Sequence, residues 1–161
     1  MLLKFNSINE ASSEIIKLNK MRMLIAGPAG IGKTTLSKNI IKQKTELIHL
    51  ELDVLKKQYS NVCSIHNFSV SKCLSKVINN LSAFVIDVGG DSIFRSNYDN
   101  PTNLKHLKKF KQNQNLYIIL LTAPKEEVRM TYMKFRDSVD QCFNDDWKNW
   151  QEYSLTYWER C

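Results

Sequence analysis

From residue 21 onward, short apolar runs alternate with stretches whose apolar residues recur at helical spacing. Met23-Leu24-Ile25-Ala26 predicts a first strand, and Lys33 to Lys42 predicts a helix with Leu36, Ile40 and Ile41 on its apolar side. Leu47 to Leu52 predicts a second strand. Val70, Cys73, Leu74, Val77, Ile78 and Leu81 then mark an amphipathic helix. Ala83 to Val88 predicts a buried third strand, stopped by Gly89-Gly90. Pro101 opens a helix carrying Leu104 and Leu107, and Leu116 to Leu121 predicts a fourth strand. Pro124 suits the first turn of the next helix, with Glu126 and Glu127 near its positive end. Asn144-Asp145 predicts the cap of a last helix, whose Trp147, Trp150, Tyr153, Tyr157 and Trp158 read as core packing. Residues 7 to 20 predict one more helix ahead of the first strand.

Alternating strands and helices predict an α/β domain with a parallel sheet covered by helices on both faces. The 161 residues suit one compact domain, with residues 1–20 as an N-terminal extension. No apolar run is long enough to cross a bilayer, so no membrane partner is expected. The first residues lack a secretory pattern, and a cytoplasmic location is expected. Cys63, Cys73, Cys142 and Cys161 show neither CxxC spacing nor a histidine arrangement suited to zinc, which leaves them as idle thiols. The formal net charge of +7 favours anionic partners. Much of it falls on Lys105, Lys108, Lys109 and Lys111 of one surface helix, so nucleic acid is allowed as a partner but not favoured.

Gly27-Pro28-Ala29-Gly30-Ile31-Gly32-Lys33-Thr34 has the spacing G-x-x-x-x-G-K-T, a phosphate-binding Walker A loop. Its glycines let successive N–H groups point at phosphate oxygens, while the following helix presents its positive end to the same anion. Lys33 is suited to the outer phosphates and the Thr34 hydroxyl to magnesium; Thr35 follows in the same turn. Chance produces this spacing in on the order of half a percent of chains of this length. Here it also follows a predicted strand and opens a predicted helix, the context the motif requires.

Two classes of nucleotide-handling protein then compete. Asp87-Val88-Gly89-Gly90 fits the D-x-x-G pattern of a GTPase switch, but no guanine-reading N-K-x-D follows the fourth strand. Leu120-Leu121-Thr122-Ala123-Pro124-Lys125 stands there instead. Glu51 and Asp53, at i and i+2 on an extended chain, would point the same way, one holding magnesium and the other taking a proton from an attacking hydroxyl. Phosphoryl transfer is the better expectation. Asp87 closes an apolar strand as a further magnesium-facing acid.

In this order of motifs, over residues 21 to 160, the chain resembles the shikimate kinases and the wider group of small P-loop kinases that includes gluconate kinases. The resemblance implies a three-layer P-loop NTPase fold with strand order 2-3-1-4, counted from Met23, and implies ATP and Mg2+. It makes Glu51 the magnesium-facing acid and Asp53 the substrate-facing base. Gly89 and Gly90 become the place where a small hydroxyl acceptor meets the backbone. Arg129 is then placed beside the adenine, Arg136 in a lid over residues 134–144 that neutralises the transferring phosphoryl group, and Arg160 at the acceptor's carboxylate. The chain departs from the family in Glu51 for an aspartate, Asp91 for a third glycine, and the lack of any arginine in Phe68 to Leu81.

The family would also continue past Cys161 into a fifth strand and an adenine-contacting loop. A sheet without that strand would leave its fourth strand as an open edge. Leu2-Leu3-Lys4-Phe5, or a second copy of the chain in a homodimer, is expected to cover it. A nucleoside or polynucleotide kinase, or a nucleotide-binding module without transfer activity, are the alternative functions.

Overall fold

The computed structural model of the protein describes residues 1–19, 21–52, 54–55, 78–88, 112, 115–135 and 140–155. Asp53, Gly89, Gly90, Asp91, Arg136 and Arg160 lie outside the described residues, as do the lysine cluster and most of the helix expected over 70–81.

Five strands, β1 (Leu2–Phe5), β2 (Arg22–Ala26), β3 (Ile48–Glu51), β4 (Phe84–Val88) and β5 (Tyr117–Leu121), form one sheet in the order β1-β5-β2-β4-β3. Every pairing is parallel. The expected four-stranded sheet with a missing fifth strand is therefore corrected. Counted from Met23, the four strands lie in the relative order 2-3-1-4, and β1 is added beside the last of them. A fifth strand is present, and it comes from the chain's first residues. Leu2 to Phe5 run in register with Ile118 to Leu121, and Met1 N donates to Leu116 O at 2.9 Å. The edge of β5 is closed within the chain, so the motive for a homodimer through that edge disappears.

The inner strands β2, β4 and β5 are almost wholly buried because both faces of the sheet are covered. Alternate residues point to opposite faces. Met23, Ile25, Val85 and Ile119 pack under Ala11 and Ile15 of α1 (Ile8–Lys17), and under Leu36 and Ile40 of α2 (Lys33–Gln43). Val128 and Tyr132 of α3 (Lys125–Phe135) and Phe143 of α4 (Asp140–Asn149) complete that layer. Leu24, Ile86, Ile118 and Leu120 face the other way, against Leu52, Ile78 and Trp150. Trp150 opens a short π-helical turn, Trp150–Leu155, and its burial bears out the reading of the aromatic stripe as core at that position.

Two local expectations change. The last helix begins at Asp140 rather than at an Asn144-Asp145 cap, because Phe143 must sit on the helix to reach Tyr132, ring centroids 5.3 Å apart. Of the segment 134–144, Lys134 and Phe135 end α3, and Asp140 to Asn144 begin α4. Strand β3 also ends at Glu51, and Leu52 is already helical. The extended-chain argument for pairing Glu51 with Asp53 therefore does not hold. Among the described residues, no helix is long and apolar enough to cross a membrane.

Candidate phosphate-binding site

Strand β2 delivers the chain at Ala26 into the phosphate loop, and α2 starts at Lys33. Two loop residues occupy the left-handed region, Gly30 with φ 82° and Gly32 with φ 93°. A side chain at Gly30 would also meet the Tyr132 backbone of α3 at 3.0 Å, and one at Gly32 would run into the Ile8 side chain of α1. The loop is thus held between two helices from opposite ends of the chain.

Gly32 occupies the N-cap of α2, makes no side-chain cap, and is followed by no acidic residue in the first turn. That uncapped start of α2 is the end where the helix dipole is positive and favours an anion. Lys33 Nζ folds onto the loop, donating to Gly27 O at 3.0 Å and Pro28 O at 2.9 Å. Thr35 is exposed on the same turn.

The neighbouring strand supplies the acid. Ala26 is in register with Val88, so Asp87 reaches the carboxyl end of the sheet beside the start of α2. Thr34 Oγ1 donates to Asp87 Oδ2 at 2.7 Å. Asp87 is only 6% exposed, and His49 Nε2 lies 3.3 Å from the same oxygen. Glu51 is the register partner of Asp87 one strand further out and is partly exposed. A hydroxyl and two nearby carboxylates are hard oxygen donors of the kind that hold Mg2+ with water and phosphate completing the shell. Among the described residues no three His, Cys, Asp or Glu gather as a ready-made metal cage. The donor set fits an ion that arrives with a phosphate, held by Thr34 and Asp87 with Glu51 alongside.

The structure therefore brings together the whole loop, Thr34, Asp87 and Glu51. Arg129 sits on α3, with Nη1 3.4 Å from Glu126 Oε2. Sequence reasoning missed His49, Ile8 and Tyr132. For Ile8 a signal existed: Ser7 and Glu10 have capping-box spacing, and Ser7 Oγ accepts from Glu10 N at 3.2 Å, fixing the helix start. Nothing in local spacing marks Tyr132 or His49, whose roles come from register and helix packing.

No protein-family model matches the sequence, and no curated protein matches it. By structure the chain is similar to the shikimate kinase from Acinetobacter baumannii in complex with shikimate, with a TM-score of 0.59 and 17% sequence identity. The match covers 92% of this chain and 83% of that one. The chain thus shares the fold of that shikimate kinase.

Proposed function

We propose that the protein is an ATP- and Mg2+-dependent phosphotransferase that moves the outer phosphoryl group to a hydroxyl of a small molecule. The observation that carries this reading is the 2.7 Å Thr34–Asp87 hydrogen bond beside the uncapped start of α2. It pairs an anion cradle with a buried acid. The likeness in fold to a shikimate kinase supports the same reading.

The loop N–H groups of Ala29 to Lys33 orient the phosphates, and Lys33 leaves the Gly27 and Pro28 carbonyls to meet the outer ones. Thr34 and Asp87, with Glu51 beside them, would hold the metal, and Mg2+ bound there would supply positive charge against the phosphates. Asp53 orients and deprotonates the acceptor hydroxyl, and Arg136 adds positive charge at the phosphoryl group. Gly89, Gly90 and Arg160 meet the acceptor, and Arg129 lies toward the nucleoside.

A panel of hydroxyl acceptors tests the proposal: shikimate, gluconate, nucleosides and 5′-hydroxyl oligonucleotides, scored by ADP production. Acceptor-dependent ADP formation is the expected result, and the productive acceptor names the substrate class. Tight nucleotide binding with no turnover on any acceptor would replace the kinase with a nucleotide-binding module.

A further inference from the structure

We infer that His49 is a further metal-binding side chain beside Thr34 and Asp87, and that its imidazole biases the site from Mg2+ toward a first-row transition ion such as Mn2+. The inference rests on the metal lying at Thr34 and Asp87, and it adds a nitrogen donor and the class of ion the site selects.

Strand register puts the donors on one face. Alternate residues of a strand point the same way, and Val85 packs with Leu36 and Ile40 of α2. Asp87 therefore also points to the α2 side of β4. His49 is the register partner of Val85 and Glu51 that of Asp87, so both lie on this face, toward the first turn of α2 that carries Thr34. Asp87 is the focus of the group. Thr34 Oγ1 at 2.7 Å and His49 Nε2 at 3.3 Å both meet its Oδ2. Two ligands at right angles, each about 2.1 Å from one octahedral ion, lie about 3.0 Å apart. The two observed separations bracket that value.

The chemistry of these groups favours an ion between them. A buried carboxylate is normally paired with a cation or bound to a metal. Among the described residues no lysine or arginine meets the buried Asp87. When ionised, the acid only accepts, so its contact with Nε2 requires a proton on that nitrogen. With an ion in that bridging place, the neutral imidazole carries its proton on Nδ1 and turns the Nε2 lone pair to the metal. Nitrogen is where the candidate ions part. Mg2+ is a hard ion served by oxygen, whereas imidazole suits first-row transition metals. Mn2+ accepts the same carboxylate, hydroxyl, phosphate and water oxygens and is held by the nitrogen as well. Thr34, Asp87 and His49 leave the remaining positions to phosphate and water, in keeping with the lack of a closed metal cage among the described residues.

Electron paramagnetic resonance of the full chain with Mn2+ and inorganic tripolyphosphate tests this. Tripolyphosphate carries no nitrogen, so a nitrogen bound to the ion comes from the protein. Pulsed spectra of the parent are expected to show the hyperfine coupling of a directly bound imidazole nitrogen, and His49→Gln should lose it. Displacement of Mn2+ by Mg2+ reads the selectivity. The preference for Mn2+ should fall about tenfold in His49→Gln, the low end of the loss at a disturbed metal site. Protein-bound Mn2+ without a directly bound nitrogen would overturn the inference, and that reading needs only the parent. A metal preference equal in parent and variant would overturn it too, as would an equal loss of tripolyphosphate affinity with a chelator present. In each of these cases the phosphate site stands. Tripolyphosphate binding with no bound Mn2+ would overturn the metal site at Thr34 and Asp87 as well, and failure of tripolyphosphate itself to bind would overturn the phosphate site with it.

Discussion

The Thr34 hydroxyl donates to Asp87 Oδ2 at 2.7 Å, joining the first turn of α2 to the end of β4 across 53 positions of sequence. The bond holds the hydroxyl and the carboxylate side by side, where one hydrated cation can touch both.

Asp87→Asn keeps the shape and still accepts from Thr34, but it removes the charge that draws a cation. Nucleotide affinity in excess magnesium should fall by about 10- to 100-fold, the usual loss at a disturbed metal site. Affinity measured with a chelator present should be nearly unchanged. Equal losses in both conditions would show that Asp87 shapes the loop instead of serving the metal.

Lys33 and Asp53 separate binding from transfer. Lys33→Ala should slow transfer by about 10²- to 10³-fold, as loss of a preorganised charge donor does, and should weaken triphosphate binding too. Asp53→Ala should lower transfer by about 10²- to 10⁴-fold, the range of a lost general base, with nucleotide binding nearly intact. Single-turnover assays with binding titrations read both numbers. Parent-like turnover by Asp53→Ala would remove the base assignment.

Gly30→Ala asks a non-glycine residue to hold φ near 82° and places a methyl group 3.0 Å from the Tyr132 backbone. Neither the loop nor a packed helix can give way cheaply. Strain of this kind costs about 1–3 kcal/mol, and the loss should show in chemical denaturation together with weaker tripolyphosphate binding.

The first residues of the chain are expected to be structural, not ornamental. Phe5 is 8% exposed and ends the strand that covers β5. Phe5→Ala should cost about 3 kcal/mol, the low end for emptying a buried aromatic site. Deleting residues 1–6 should go further, exposing the β5 edge and producing either marked destabilisation or self-association in sedimentation velocity. Unchanged stability and a monomer would contradict the pairing of β1 with β5.

Much of this molecule was legible from patterns of a few residues. The loop carries its chemistry in eight consecutive positions, and fully apolar strands such as Ala83 to Val88 announce burial on both faces. The apolar run closed by Asp87 also pointed to that acid, which the structure places against Thr34. What stayed hidden depends on long-range register. The pairing of Leu2 to Phe5 with Ile118 to Leu121 was suggested only by the problem of an open edge, not by any signal in the four residues themselves. The neighbourhood of Asp87 includes His49 because β3 happens to align His49 with Val85 and Glu51 with Asp87, a relation no local spacing encodes. For Glu51 and Asp53 the described residues reach only the first of the pair, and Asp53 lies outside them. An i, i+2 rule holds only while the chain stays extended, and the strand stops at Glu51.

Tyr132 supports the last prediction, since it joins the loop to the far end of the fold. Its backbone backs Gly30, its ring meets Phe143 edge-on at 5.3 Å, and its hydroxyl donates to Asp146 Oδ2 at 3.1 Å. These contributions separate by substitution. Tyr132→Phe removes only the hydroxyl bond, which should cost about 1 kcal/mol and leave tripolyphosphate affinity as in the parent. Tyr132→Ala empties a buried aromatic site, with a cost of about 3–5 kcal/mol. It also frees α3 to shift away from Gly30, so tripolyphosphate binding should weaken even at temperatures where the variant is still folded. A Tyr132→Ala protein that is destabilised but binds tripolyphosphate like the parent would show that the loop holds its shape without α3. In that case Gly30 and Gly32 set the loop geometry, with Ile8 as its remaining brace.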